Sequence, residues 1–79
     1  MNWHWQIPDI YLEIVMELAR YNHPVWQAMH KLAESESGQL PQTFEIHQDI
    51  FLWRQYGYRI VYERMHDEKL LLLSSIQKM

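Results

Sequence analysis

Apolar and polar residues alternate in the first part of the chain. Trp3, Trp5 and Ile7 fall on one side of an extended segment, and the residues between them are polar. A period of two predicts a short, half-buried strand over residues 1–7. We expect the two tryptophans in the core and not on a base-stacking platform, because no basic residue precedes Arg20.

The period changes to that of a helix at Asp9, a residue that suits the positive end of a helix dipole. Polar residues then recur on one narrow stripe as far as Tyr21, which predicts that the helix is well buried. Its apolar side consists of Ile10, Tyr11, Ile14, Val15 and Leu18. Pro24 suits the first turn of a second amphipathic helix, which we expect to end by Glu36.

The remainder of the chain predicts a loop and then three strands. The loop covers 37–41, and the strands cover about 46–55, 58–65 and 70–76. The order β-α-α-β-β-β predicts an α+β fold, with two helices packed on one face of a mainly antiparallel four-stranded sheet. No linker interrupts the pattern, so a single domain is expected over 1–79. The leucine run that begins at Leu70 favours a buried central strand.

A turn at Tyr56-Gly57 determines which side chains share a face of the central hairpin. With a two-residue loop, Arg54 lies opposite Arg59, and one face packs beneath the helices. That face holds Phe51, Trp53, Ile60 and Tyr62, and the other holds Ile50, Leu52, Arg54, Arg59 and Val61. A three-residue loop is the alternative, because Tyr56 is unfavourable at positive φ, and it shifts the register by one.

Two arginines directly opposite each other on a sheet repel, so the pairing of Arg54 with Arg59 needs an explanation. One hypothesis is an anion site, since two guanidinium groups suit a phosphate or a carboxylate. The other is that each arginine is solvated or is paired separately with an acid such as Glu63.

Composition restricts the classes of function. Residues 1–41 hold two basic and five acidic side chains, whereas residues 42–79 hold five of each, which gives the net charge of −3. Because nucleic-acid binding usually leaves a basic footprint, nucleic acid is not expected as the main ligand. The chain has no Cys and no apolar run of about 20 residues, so we expect a cytoplasmic protein without membrane contact. We expect neither a cofactor nor a metal site, since five histidines without Cys are weak evidence for zinc.

The stretch from Gly57 to Leu73, GYRIVYERMHDEKLLLL, resembles the C-terminal hairpin of the RelE/ParE superfamily of small bacterial toxins. In that superfamily a strand of the form G-Y-R-[IVL]-[VI]-Y precedes an acidic turn and an apolar last strand, and the order of elements is the same. The resemblance implies the toxin of a toxin–antitoxin module, neutralised by an antitoxin segment laid over the open face of the sheet.

The same resemblance assigns a role to Arg59. In RelE-like ribonucleases an Arg at this position contributes to mRNA cleavage on the ribosome, together with lysines on the preceding strand. Ile50 and Leu52 stand where those lysines are expected, and Lys78 is the basic residue near the end of the last strand. One arginine supplies charge stabilisation but no proton transfer, so at most a residual ribonuclease centred on Arg59 is implied.

Apolar residues in place of the lysines favour a protein-binding face instead. ParE-like members of the superfamily, which poison DNA gyrase and lack the nuclease residues, are the closer analogy. We therefore expect a toxin that acts by binding a protein partner, either an antitoxin or a host target, and the residues favour a role without catalysis. The residues expected to make the contact are Ile50, Leu52, Arg54, Arg59 and Val61. A phage- or plasmid-encoded inhibitor on the same fold is the alternative, and a homodimer that covers this face is left open.

Overall fold

Two helices and five strands make up the protein in a computed structural model, which describes residues 2–79. In chain order they are β1 (His4–Gln6), α1 (Asp9–Arg20), α2 (Pro24–Glu34), β2 (Phe44–His47), β3 (Ile50–Gln55), β4 (Tyr58–Met65) and β5 (Leu70–Lys78). The strands form one sheet in the order β1-β5-β4-β3-β2. Strand β1 runs parallel to β5, and the other neighbours are antiparallel. The predicted α+β fold is confirmed, but the sheet has five strands and not four.

The additional strand arises because the predicted strand 46–55 is a hairpin, formed by β2 and β3. Asp49 adopts a left-handed conformation with φ of 60°, which Asp tolerates better than most residues. Its backbone N–H donates to the Glu45 carboxylate at 2.8 Å, and its carbonyl accepts the N–H of Arg64 at 2.7 Å. These bonds satisfy the backbone of a tight turn that contains no Gly or Pro.

The core lies between the helices and one face of the sheet. Strands β3 and β4 contribute the four side chains predicted for this face, Phe51, Trp53, Ile60 and Tyr62, and each is at most 1% exposed. Helix α2 contributes Val25, Met29 and Leu32, among others. Trp3 is buried as predicted, and Trp5 is half-buried with its Nε1 donating to the carbonyl of Met29 at 2.8 Å.

Helix α1 is less buried than its pattern predicts. Only Val15 and Leu18 are fully buried, and Ile10 is 80% exposed. Ile10 lies beside Glu17 around the helix, at the border between its apolar and polar sides, so a small rotation of the helix exposes it. At twelve and eleven residues, neither α1 nor α2 has the length that crossing a bilayer requires.

The β3–β4 hairpin has the two-residue loop. Tyr56 and Gly57 have φ of 55° and 78°, the pair of positive values that a tight hairpin turn needs. Arg54 therefore pairs with Arg59, Leu52 with Val61, and Trp53 with Ile60. The predicted register is confirmed, and the three-residue alternative is wrong.

The two glycines of the chain predict different costs of substitution. Gly57 has φ of 78° and open space where a Cβ would stand, whereas Gly38, with φ of 70°, would place that Cβ 3.2–3.3 Å from Arg64, Leu71 and Trp3. We expect Gly57→Ala to lower the free energy of unfolding by about 1–2 kcal/mol through backbone strain alone. Gly38→Ala should lower it further, because crowding adds to the strain. Urea denaturation of both variants measures the difference. Equal losses of unfolding free energy would show that the side chains around Gly38 move aside at no cost.

Candidate functional site

An apolar surface crosses the face of the sheet opposite the helices, which we call the open face. Phe44 on β2 pairs with Leu52 on β3, which pairs with Val61 on β4. Phe44 and Ile46 are 73% and 56% exposed, respectively. With the half-buried Ile50, Leu52 and Val61, Phe44 and Ile46 form what we call the apolar patch. Exposed apolar side chains gathered in this way are typical of contact surfaces.

A groove runs along the apolar patch at the β2 edge of the sheet. Its volume is about 440 Å³, and its lining includes Phe44, Ile46, Leu52 and Arg54. Strand β2 is the last strand at this edge, and all four of its residues are exposed. The groove thus has apolar walls and a positive charge at one end.

Arg54 and Arg59, the arginine pair, lie directly opposite each other on the open face. Arg59 donates from Nη2 to Oε1 of Gln77 at 2.7 Å. Its Nε is buried and has no hydrogen-bond partner within residues 2–79. The ion pairs formed by this part of the chain all involve Asp49, so the suggested pairing with Glu63 is wrong. Two positive charges are therefore held side by side without an acidic partner.

Arg64, a third arginine of the same hairpin, has the opposite environment. It lies on the helix side of the sheet, where its guanidinium carbon is 4.8 Å from the centre of the Phe51 ring. Its Nη1 donates to the Ser37 carbonyl at 2.6 Å, and its Nη2 donates to Oδ1 of Asp49 at 2.9 Å. Arg64 thus ties the loop after α2 to the β2–β3 turn, which makes it a structural residue.

The carboxylate of Asp49 already has two hydrogen-bond partners. The Nε2 of His66 and the Nη2 of Arg64 each lie 2.9 Å from its Oδ1. The hydrogen bond from His66 contributes most, and that from Arg64 next, to holding the pKa of the Asp49 carboxyl below its ordinary value of 3.8. A shallow groove of about 610 Å³ lies beside these residues. A carboxylate that is already bonded twice is a weak proton acceptor, so this cluster does not have the character of a catalytic site.

Tyr62 offers no proton to the open face either. Its hydroxyl donates to the carbonyl of Gly38 at 2.7 Å within the core. Burial raises the pKa of Tyr62 to about 12, so the hydroxyl stays neutral and committed to this bond near neutral pH.

The histidines do not assemble into a cluster. His23 caps helix α2, its Nδ1 accepting the N–H of Val25 at 3.1 Å. His30 makes an edge contact with the ring of Trp26. Within the part of the chain that the structure describes, no three His, Cys, Asp or Glu side chains are grouped in a way that would hold a metal ion.

Comparisons by sequence find no family model and no curated protein that match this chain. The structure, in contrast, is similar to the RelE2 toxin in the crystal structure of the toxin–antitoxin complex RelBE2 from Mycobacterium tuberculosis. The TM-score is 0.62, the identity is 11%, and the similarity covers 100% of both chains. The fold is RelE-like. The fold that the GYRIVY hairpin predicted is thereby confirmed over the whole chain.

On this RelE-like fold, the five residues expected to contact a partner share the open face. The β3–β4 register brings together Leu52, Arg54, Arg59 and Val61. Ile50 precedes Leu52 by two residues on β3 and therefore lies on the same face. Two members of the surface were missed from the sequence, Phe44 and Ile46. The alternation of Phe44, Glu45 and Ile46 was the available signal for them, since it has the period of a strand.

The Asp49 cluster predicts a pH-dependent contribution to stability. Because the pKa of Asp49 is lower in the folded protein, its bonds stabilise the fold above 3.8, and that contribution is lost as the pH falls below this value. We expect Asp49→Asn to lower the free energy of unfolding near neutral pH. The difference from the unsubstituted protein should shrink steadily in acid.

Urea denaturation over a series of pH values measures this difference. Asp67→Asn is the matched control, because Asp67 is exposed in the neighbouring turn. A difference for Asp49→Asn that stays constant into strong acid would contradict the assigned role of the carboxylate.

Proposed function

We propose that this protein is a RelE-like toxin of a toxin–antitoxin module and acts by binding a protein. The observation that carries the proposal is the apolar patch, which lies on the open face beside an arginine pair without acidic partners. Desolvated apolar surface with a few charged groups at its rim is the usual composition of a protein interface. The RelE-like fold supports the toxin role, since the similar chain is the toxin of a complex with its antitoxin.

The chemistry of the open face argues against an RNA-cleaving role. Cleavage through the 2′-hydroxyl requires a group that moves protons as well as charge that stabilises the transition state. Arg59 supplies charge alone, and its diagonal neighbour on β3, Leu52, is apolar. Tyr62 is turned toward the core, where its hydroxyl is bound to Gly38. Binding therefore fits the residues better than catalysis does.

The inhibitor alternative uses the same face and differs in its biological partner. A toxin is neutralised by a dedicated antitoxin, whereas a phage or plasmid inhibitor acts only on a host that has its target. The product of the adjacent gene separates the two, because its coexpression should neutralise a toxin.

Expression of the protein alone is expected to arrest bacterial growth, and Leu52→Glu or Val61→Glu should relieve the arrest. An unpaired charge buried in an interface costs about 3–5 kcal/mol, which weakens binding by more than about a hundredfold. Colony counts after induction, with and without the adjacent gene's product, provide the measurement.

Met16→Glu is the matched control for these two substitutions. It introduces the same charge at an apolar position that is 57% exposed, but on α1 in the helix layer, so the growth arrest should persist. Arrest that survives Leu52→Glu, or message cleavage by the purified protein on translating ribosomes, would overturn the proposal.

A further inference from the structure

We infer that Arg54 and Arg59 form a carboxylate-binding site, and that it receives an acidic residue of the protein segment that covers the apolar patch. The inference rests on the proposed function and specifies the chemistry of the partner. The arginine pair lowers the stability of the protein when no partner is bound. Like charges opposite each other on a sheet are destabilising, and no acid of residues 2–79 forms an ion pair with either arginine.

The geometry of the pair suits one shared anion. Side chains at directly opposite positions have Cβ atoms about 4.5–5.5 Å apart, so two guanidinium groups can converge on a single carboxylate. Gln77 on β5 accepts from Nη2 of Arg59, but this amide is neutral and leaves the charge of the guanidinium unbalanced. Charge-assisted hydrogen bonds to a carboxylate are roughly twice as strong as neutral ones.

The groove beside the pair determines what must accompany the carboxylate. Arg54 contributes to the groove wall next to Leu52, Phe44 and Ile46, so an occupant meets apolar surface and positive charge together. The partner segment should therefore present an apolar side chain to the groove and a carboxylate to the arginine pair.

The spacing of these two groups follows from strand geometry. Leu52 and Arg54 are two residues apart on β3, which corresponds to about 6.6 Å. The carboxylate should lie two residues from the apolar anchor in an extended segment. In a helix it should lie four residues away, a rise of about 6 Å.

A polypeptide fits this surface better than RNA does. The net charge of the chain is −3, and phosphate backbones are bound through several basic groups at once. Here two arginines border a groove whose lining contributes no further basic side chain for a second phosphate. One carboxylate among apolar side chains matches both the number of charges and their surroundings.

The test begins with random twelve-residue peptides displayed on phage. They are selected on the immobilised protein, and peptides that also bind the Leu52→Glu variant are removed. We expect the survivors to share an Asp or Glu at one of the two spacings from a large apolar residue. The dissociation constant of one such peptide is then measured by fluorescence anisotropy.

Arg54→Gln and Arg59→Gln should each raise the dissociation constant of that peptide by about tenfold or more. The peptide with its acid changed to the amide should bind the unsubstituted protein about as weakly, and Arg59→Gln should then cause little further loss. Arg20→Gln is the matched control, since it removes the same charge from an exposed position on α1. Arg54→Gln should also leave the unbound protein at least as stable in urea, because it removes a repulsion, which separates loss of the site from loss of the fold.

Each contrary result has a distinct meaning. Selected peptides without Asp or Glu, or affinities unchanged by both arginine substitutions, would overturn the carboxylate site. Neither result would contradict the proposed binding face. A selection that yields no peptide sensitive to Leu52→Glu would count against the binding face itself. Tight binding of a labelled RNA oligonucleotide that Arg59→Gln abolishes would overturn the choice of a polypeptide. Dimerisation in sedimentation equilibrium that Arg59→Gln abolishes would make a second copy of this chain the occupant.

Discussion

The two-residue turn between β3 and β4 determines both the interior and the exterior of this protein. Successive side chains of a strand point to opposite faces, so a shift of one residue between β3 and β4 would exchange the two sets. Trp53 and Ile60 would no longer share the buried face, and Arg54 would no longer oppose Arg59. The turn requires positive φ from Tyr56 as well as from Gly57, and the burial of four large side chains behind it offsets that strain.

The three arginines of the hairpin show how one residue type serves two purposes. Arg64 is stacked on Phe51 and bonded to Ser37 and Asp49, so its charge is neutralised within the molecule. Arg54 and Arg59 have no such acids, although they belong to the same pair of strands. This contrast distinguishes an arginine that stabilises the fold from two arginines whose mutual repulsion lowers its stability.

Local periodicity predicted those parts of the structure that depend on neighbouring residues. The strand alternation around Trp53 and Ile60 predicted the buried face and the opposed arginines, and the resemblance of the GYRIVY segment predicted the fold. The β2–β3 turn was missed because Asp49 supplies its positive φ through bonds to Glu45 and Arg64, with no Gly to mark it. Features that combine distant residues left no such signal.

The bonds of Arg64 are an example, because its acceptors at Ser37 and Asp49 lie 27 and 15 residues away. The exposure of Ile10 is another, since it depends on how α1 is rotated over the sheet and not on its own sequence. Both were settled by tertiary packing, which a pattern of apolar and polar positions does not describe.

The position of β5 between β1 and β4 has a consequence for folding. His4 and Trp5 on β1 pair with Leu70 and Leu71 on β5, which are distant from them in the sequence. Contacts between such distant parts form late and slow the search for the native state. The interior therefore closes only when β1 and β5 have met, and until then Trp3 and the buried residues of β5 remain exposed.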